Sequence, residues 1–398
     1  MTIVVVGGGS GGHITPLLAV ASELKKEQPD TRVVYIGQTG DGLGDIAHEH
    51  PTVDESYTIR AGKLRRYHGE GLRQLLDIPT TLKNIRDSLY VLAGLVQSWR
   101  LLRRLAPDMI FIKGGFVGVP VGLAAASLKI PYITHDSDAL PGLANRIIAR
   151  WAVAHAVALP EEVYDYPIDK TVTVGVPVAA TYVPVSAELQ AKYKRQLGLP
   201  EEGRLLFIIG GGLGAQRVNL AAAEAIAHLL QEYRDLQVVH GVGRANEEQM
   251  QTLYTTTLSA AEQSRVEVKG YITDAYIYSG AADVIITRAG ATQMAEFAVQ
   301  GKPCIVVPNP VLAGGHQLKN AKYLQDKNAA VLVTEQELQD NPNVLAARTS
   351  ELFKDSAKRR QLAKNLAAFA HPAAAKQLAT LLLKEAKNTQ KAHAIPKE

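Results

Sequence analysis

Short apolar runs alternate with longer stretches of helical periodicity along most of the chain. The runs at residues 3–6, 32–36, 109–112, 131–134 and 172–174, then 205–209, 237–240, 283–287 and 304–307, are closed by glycine, proline or polar turns. Runs of that length without alternation read as strands buried on both faces, and helical stretches between them predict parallel, doubly wound sheets. The pattern breaks over residues 180–203, which are largely polar with prolines near each end, and then restarts. The expected architecture is therefore α/β: two Rossmann-like parallel-sheet domains facing a shared cleft, residues 1–178 and 179–370, joined by a linker and a peripheral helix. Residues 373–386 after Pro372 read as a last apolar helix, followed by a frayed polar tail.

The strongest local signal is the first strand and its glycine loop, Gly7-Gly8-Gly9-Ser10-Gly11-Gly12-His13, with a helix expected to open at Pro16. A strand running through glycines into a helix N-terminus makes an anion site, because bare backbone N–H groups and the helix dipole converge there. The spacing Gly7-x-Gly9-x-x-Gly12 also fits a dinucleotide fingerprint. That reading needs an acidic residue at the end of the second strand to hold a ribose, and this strand ends in Gly37-Gln38. The strand at 237–240 lacks such a residue as well.

Other strand ends carry polar chemistry where open α/β sheets bind ligands. Lys113-Gly114-Gly115-Phe116 follows one strand, and His135-Asp136-Ser137-Asp138 another. Gly210-Gly211-Gly212-Leu213-Gly214 opens the second half, and Arg288-Ala289-Gly290-Ala291-Thr292 is a tight turn before a helix. Small residues in that turn leave amides open to a diphosphate. Glu296, about one turn further, is placed to accept both hydroxyls of a ribose, or else simply complements the helix N-terminus. Gln317 and Asn320 stand in a polar loop leading into a helix, where they read sugar hydroxyls or act as ordinary caps.

Composition narrows the setting. The single cysteine, Cys304, lies inside an apolar run, so it reads as a core residue and no disulfide framework exists. The chain opens directly on a strand and its longest apolar tract is cut by glycine and proline, which argues against a leader or a membrane span. The net charge of +4 hides a block: residues 60–104 hold ten Lys/Arg against three Asp/Glu, a local +7, leaving −3 for the rest. Part of that block is a basic loop, Arg60 to Tyr67; the rest is a helix expected over 85–105, with Leu89, Leu92, Val96 and Trp99 apolar and Arg86, Arg100, Arg103 and Arg104 charged. One reading packs that apolar side into the core; the other rests it on an anionic membrane.

Taken together, the motifs resemble the peptidoglycan glycosyltransferases that add N-acetylglucosamine to undecaprenyl-diphospho-muramoyl-pentapeptide. Gly7 to His13 is similar to their GGTGGH loop, Gly114-Gly115-Phe116 to GGY/F, Gly210 to Ala215 to GGSQGA, Arg288 to Ala291 with Glu296 to RSGA…E, and His316-Gln317 with Asn320-Ala321 to HQ..NA. The resemblance implies a GT-B fold, with the C-terminal helix (371–386) crossing back onto the first domain. It implies inverting transfer from UDP-N-acetylglucosamine, a substrate rather than a cofactor, with no metal. It places Ser10, Gly11, Gly12, Gly212, Arg288, Gly290, Ala291, Thr292, Glu296, Gln317 and Asn320 at the donor. Gly9, His13, Gly115, Phe116 and Asp138 fall at a polyprenyl-diphosphate-linked acceptor. The implied setting is peripheral, on the anionic cytoplasmic face of the cell membrane, with no nucleic-acid partner. The chain departs from the family where His135-Asp136-Ser137-Asp138 replaces HEQN, Gly175-Val176-Pro177-Val178-Ala179 replaces GNPVR, and Gly212-Leu213 replaces Ser-Gln. His13 or Asp136 is then the expected base, and Asp138 a cap for the helix after Pro141. The competing functions are a related enzyme with another lipid acceptor, a UDP-N-acetylglucosamine epimerase and a non-catalytic nucleotide-sugar binder.

Overall fold

A computed structural model describes residues 1–9, 11–42, 44–62, 78–211, 214–311 and 315–394. It separates into two compact units. The first comprises Met1–Ala180, Val311–His316 and His371–Glu398; the second comprises Thr181–Pro310 and Gln317–Ala370.

The first unit is built on seven parallel strands: β1 (Thr2–Val6), β2 (Arg32–Gln38), β3 (Glu55–Ile59), β4 (Met109–Ile112), β5 (Tyr132–Asp136), β6 (Ala154–Val157) and β7 (Thr171–Thr173). Their order is β3-β2-β1-β4-β5-β6-β7. Strand order reverses between β1 and β4, so the loops after these two strands face each other, the position where such sheets bind ligands. Val4, Val6, Val34, Ile36, Ile110 and Ile112 pack with Val121, Ala124 and Leu102 in one core layer. The helix Gly11–Glu27 covers the sheet, and the terminal helix Ala374–Ala394 lies against it. The Thr380 hydroxyl donates to Glu27, and the Gln390 amide donates to Asp108 beside β4.

The second unit repeats the plan with six parallel strands: β8 (Arg204–Ile209), β9 (Leu236–Gly241), β10 (Val266–Lys269), β11 (Val284–Thr287), β12 (Cys304–Val306) and β13 (Val331–Leu332). Their order is β10-β9-β8-β11-β12-β13, with the reversal between β8 and β11. Cys304 is fully buried in this core. The helix Ala187–Gln196 is tied to the sheet by the buried Lys194 ammonium, 3.0 Å from Asp283.

The apolar runs account for the central strands. Sequence reasoning misses β3, β6, β10 and β13, which are short or alternate polar with apolar residues because they lie toward the sheet edges. Two helices also differ from expectation. Proline favours the first helical position, which makes Pro16 look like a start. The helix in fact begins at Gly11, so His13 stands in its first turn. The terminal helix continues to Ala394, through residues that read as a frayed tail.

The largest difference concerns the helix Ile78–Leu105. Its core side is made by Leu101, Leu102 and Leu105, with Gly94 pressed so closely on the Arg60 carbonyl that a Cβ would lie 2.0 Å from it. Leu89, Leu92, Val96 and Trp99 do not enter the core: Leu89 is 61% and Leu92 60% exposed. With Leu82 and Ile85 they form one solvent-facing stripe at three- and four-residue spacing.

Candidate functional sites

In the first unit, the loops after β1 and β4 touch. Gly115 has φ +78°, and a Cβ there would lie 2.8 Å from the Gly8 carbonyl and 3.7 Å from His13 Nδ1. Only glycine lets the two turns close on each other with the imidazole alongside. Phe116 lies against Gly9. The Gly9 N–H donates to Asp41 at 2.7 Å, and the Tyr35 hydroxyl donates to the Gly7 carbonyl. An internal carboxylate thus already holds one amide of the expected anion loop. Burial, reinforced by the nearby Lys113 ammonium, lowers the His13 pKa to about 4, so the imidazole is neutral at pH 7 and able to accept a proton.

The end of β5 forms the floor of this region. Asp136 is buried, and both carboxylate oxygens are engaged: Oδ1 accepts from the Gly142 N–H at 2.9 Å, Oδ2 from the Tyr166 hydroxyl at 2.8 Å. Burial pushes its pKa up, against the pull of these bonds. Gly142 is the N-cap of the helix Leu143–Ile148 and supplies no side chain, and the carboxylate bonded to its N–H is that of Asp136. The capping role expected of Asp138 is therefore corrected: the carboxylate at the end of β5 itself makes the connection. The Asp138 carbonyl accepts from the Tyr164 hydroxyl. His135 is fully buried, donates through Nε2 to the Gly175 carbonyl and is held neutral by burial. Gly175 (φ +81°) packs on His371, where a Cβ would come within 2.3 Å of the histidine Cβ. Lys113, which sequence reasoning passes over, is only 4% exposed and donates to the Ser137 hydroxyl at 2.8 Å. Its signal is visible in hindsight: a lysine ending an apolar strand, directly before two glycines.

In the second unit, Gly290 caps the helix Ala291–Gln300, with Thr292 and Glu296 on its first turns. Glu296 keeps part of its surface open, yet protein surrounds it closely enough that burial raises its pKa to about 8. The neighbouring Tyr182 hydroxyl partly offsets that rise, and the Tyr182 ring packs edge-on against Tyr276. Gln293 lies between the two glycine turns, its side-chain oxygen 3.7 Å from the Cβ positions of both Gly211 and Gly290. Asn320 donates to the Ala289 carbonyl at 3.2 Å, and the Gln317 side-chain oxygen accepts from the Asn309 N–H at 2.9 Å. Asn320 thus ties its helix to the β11 turn, and Gln317 ties the same helix to the segment after β12.

Arg288 is turned inward. It is 2.7 Å from Glu335, also donates to the Val307 carbonyl, and shares Glu335 with Arg217. Its visible work is to brace the turn, through a partner 47 residues away that local sequence cannot reveal. Ser10 and Gly212, both expected at the donor, and the basic residues 63–67 lie outside the described residues. Among the described residues, no group of three or more His, Cys, Asp or Glu is placed to hold a metal, and no helix is long and apolar enough to cross a membrane.

The two Rossmann-like units match the two domains of a glycosyltransferase family, which places the chain among the two-domain glycosyltransferases. The glycosyltransferase family 28 N-terminal domain matches residues 3–157, and the family's C-terminal domain matches 205–378. The UDP-N-acetylglucosamine--N-acetylmuramyl-(pentapeptide) pyrophosphoryl-undecaprenol N-acetylglucosamine transferase of Caldicellulosiruptor saccharolyticus is 33% identical over 343 residues, 86% of each chain. A Bacillus cereus transferase of the same description is 32% identical, covering 85% of this chain and 87% of its own. The chain belongs to this family of N-acetylglucosamine transferases. Its fold also matches a crystal structure of Acinetobacter baumannii MurG, with TM-score 0.67, 24% identity and coverage of 96% and 99%. A UDP-GlcNAc 2-epimerase from Neisseria meningitidis shares the fold at TM-score 0.62 with 14% identity, over 96% and 100% of the two chains.

Proposed function

We propose that the protein transfers N-acetylglucosamine from UDP-N-acetylglucosamine to the muramoyl-pentapeptide of a polyprenyl-diphosphate-linked acceptor. The observation that carries this reading is family membership across most of the chain, with Glu296 inside the helix that follows the β11 turn. In the second unit, Glu296 accepts the ribose hydroxyls of the donor. The N-terminus of the helix Ala291–Gln300 faces the diphosphate, offsetting charge on the departing UDP. In the first unit, neutral His13 accepts the proton of the attacking sugar hydroxyl as the new glycosidic bond forms with inversion at the anomeric carbon. Asp136, with both oxygens engaged, steadies the acceptor floor.

The membrane face is the exposed stripe of the helix Ile78–Leu105. Six apolar side chains face outward, with Arg100, Arg103 and Arg104 exposed at the same end and Arg103 stacked over Trp99. Apolar insertion flanked by basic headgroup contacts is the chemistry of a peripheral protein on an anionic surface. The functional test is product formation: donor and lipid-linked acceptor should give one added N-acetylglucosamine and one UDP per turnover.

A further inference from the structure

Lys113 is a buried cation that the protein itself satisfies incompletely. An ammonium has three N–H donors. Among the described residues, the Ser137 hydroxyl takes one of them, and no carboxylate forms an ion pair with the group. The charge nevertheless persists near neutral pH: burial lowers its pKa to about 8, against the opposing pull of Asp136 and Asp138. Asp136 cannot swing over to pair with it without releasing Gly142 and Tyr166. A desolvated ammonium with free donors is costly unless an anion completes it.

Its surroundings say which kind of anion. Lys113 directly follows β4 at the strand-order reversal and leads into Gly114 and Gly115, both with positive φ, with the Gly8 carbonyl and His13 packed on the second. It is near enough to lower the pKa of His13 in the first turn of the helix Gly11–Glu27. Asp41 already occupies the Gly9 N–H, so the loop's own amides supply only part of the positive field a diphosphate needs. We propose that Lys113, held in register by Ser137, is the specificity-determining cation for the diphosphate of the lipid-linked acceptor. This rests on the acceptor reading given above. It assigns a purpose to the exchange of the family's HEQN for His135-Asp136-Ser137-Asp138: Ser137 anchors the ammonium, and the flanking carboxylates keep it protonated.

The test compares the wild-type protein with Lys113→Met and Lys113→Arg, using polyprenyl-diphospho-muramoyl-pentapeptide in detergent micelles and UDP-N-acetylglucosamine. Losing a charge-assisted contact should raise the acceptor KM about ten- to a hundredfold in Lys113→Met, with the donor KM moving less than about threefold. Lys113→Arg should recover most of the loss. Wild-type kcat/KM for the acceptor should fall as pH rises through about 8, and this limb should move beyond the assay range in Lys113→Arg. The other ionisable groups facing Lys113 are His13 and His135, both held low by burial, and the carboxylates Asp136 and Asp138; all four are common to both proteins. An unchanged acceptor KM in Lys113→Met, or acceptor and donor KM rising together, overturns the assignment while leaving the transferase reading intact. Absence of any transfer by the wild-type protein overturns both. If Lys113→Met does not fold, the wild-type alkaline limb decides, and a profile that stays flat to about pH 9.5, well past the Lys113 titration, overturns the proposal.

Discussion

The Tyr182 hydroxyl stands beside the carboxylate of Glu296, close enough to favour its charged form. The pairing joins the linker at the start of the second unit to the helix behind the β11 turn. It lowers the Glu296 pKa, but burial is the larger effect and leaves the carboxyl near 8. Ribose hydroxyls donate better to a carboxylate than to a carboxylic acid. UDP affinity is therefore expected to strengthen between about pH 7 and 8.5 as Glu296 ionises, and to be flat in Glu296→Gln and weaker there by about ten- to a hundredfold. Tyr182→Phe should shift the wild-type rise to higher pH. Calorimetric titration of UDP at several pH values checks all three.

The same group sets a stability trend. A carboxyl whose folded pKa lies above its ordinary 4.5 binds more protons in the folded state between 4.5 and about 8. Its contribution is thus fully present below 4.5 and is lost as pH rises toward 8. Urea unfolding of the second unit should show this decline in the wild-type protein and a flatter profile in Glu296→Gln.

Arg288 and Glu335 are both nearly inaccessible, whereas Arg217 on the other Glu335 oxygen is largely exposed. Removing one member of a buried pair strands the other charge, at a cost of about 3–5 kcal/mol, and a largely exposed pair contributes about 0–1 kcal/mol. Glu335→Ala should lower unfolding stability by an amount in the first range and Arg217→Ala in the second. Equal effects would remove the bracing role from Arg288.

Both parallel sheets were legible because their central strands are unbroken apolar runs, and the glycine turns marked the reversals at β1/β4 and β8/β11. The features that escaped detection are set by tertiary context. The outward stripe of the helix Ile78–Leu105 has the same periodicity as a core-facing one. The burial of Leu101, Leu102 and Leu105 and the close approach of Gly94 to Arg60 show which face turns inward. Glu335 lies far along the chain from Arg288, and Tyr182 stands in a linker without local signal. That Glu296 lies inside a helix after a small-residue turn was legible from the turn itself, whereas His13, expected in the loop, stands in the first helical turn.

The stripe makes a direct prediction for membranes. Replacing Leu89, Leu92 and Val96 together with Ser should remove most binding to anionic vesicles, since each buried aliphatic side chain contributes roughly 1.5–3 kcal/mol. Because these side chains are already in water, unfolding stability should stay within about 0.5 kcal/mol of wild type for each change. Added salt should weaken wild-type binding by screening Arg100, Arg103 and Arg104. Vesicle co-sedimentation and a melting curve separate the two effects.

The most direct test of the transferase reading is the identity of the sugar product. The purified protein is incubated with labelled UDP-N-acetylglucosamine and polyprenyl-diphospho-muramoyl-pentapeptide, and lipid and nucleotide fractions are resolved by mass. The expected result is a lipid heavier by one N-acetylglucosamine, free UDP in equal amount, and loss of both in His13→Ala and Glu296→Ala. An epimerised nucleotide sugar formed without acceptor, or a lipid fraction that remains unlabelled, would contradict it.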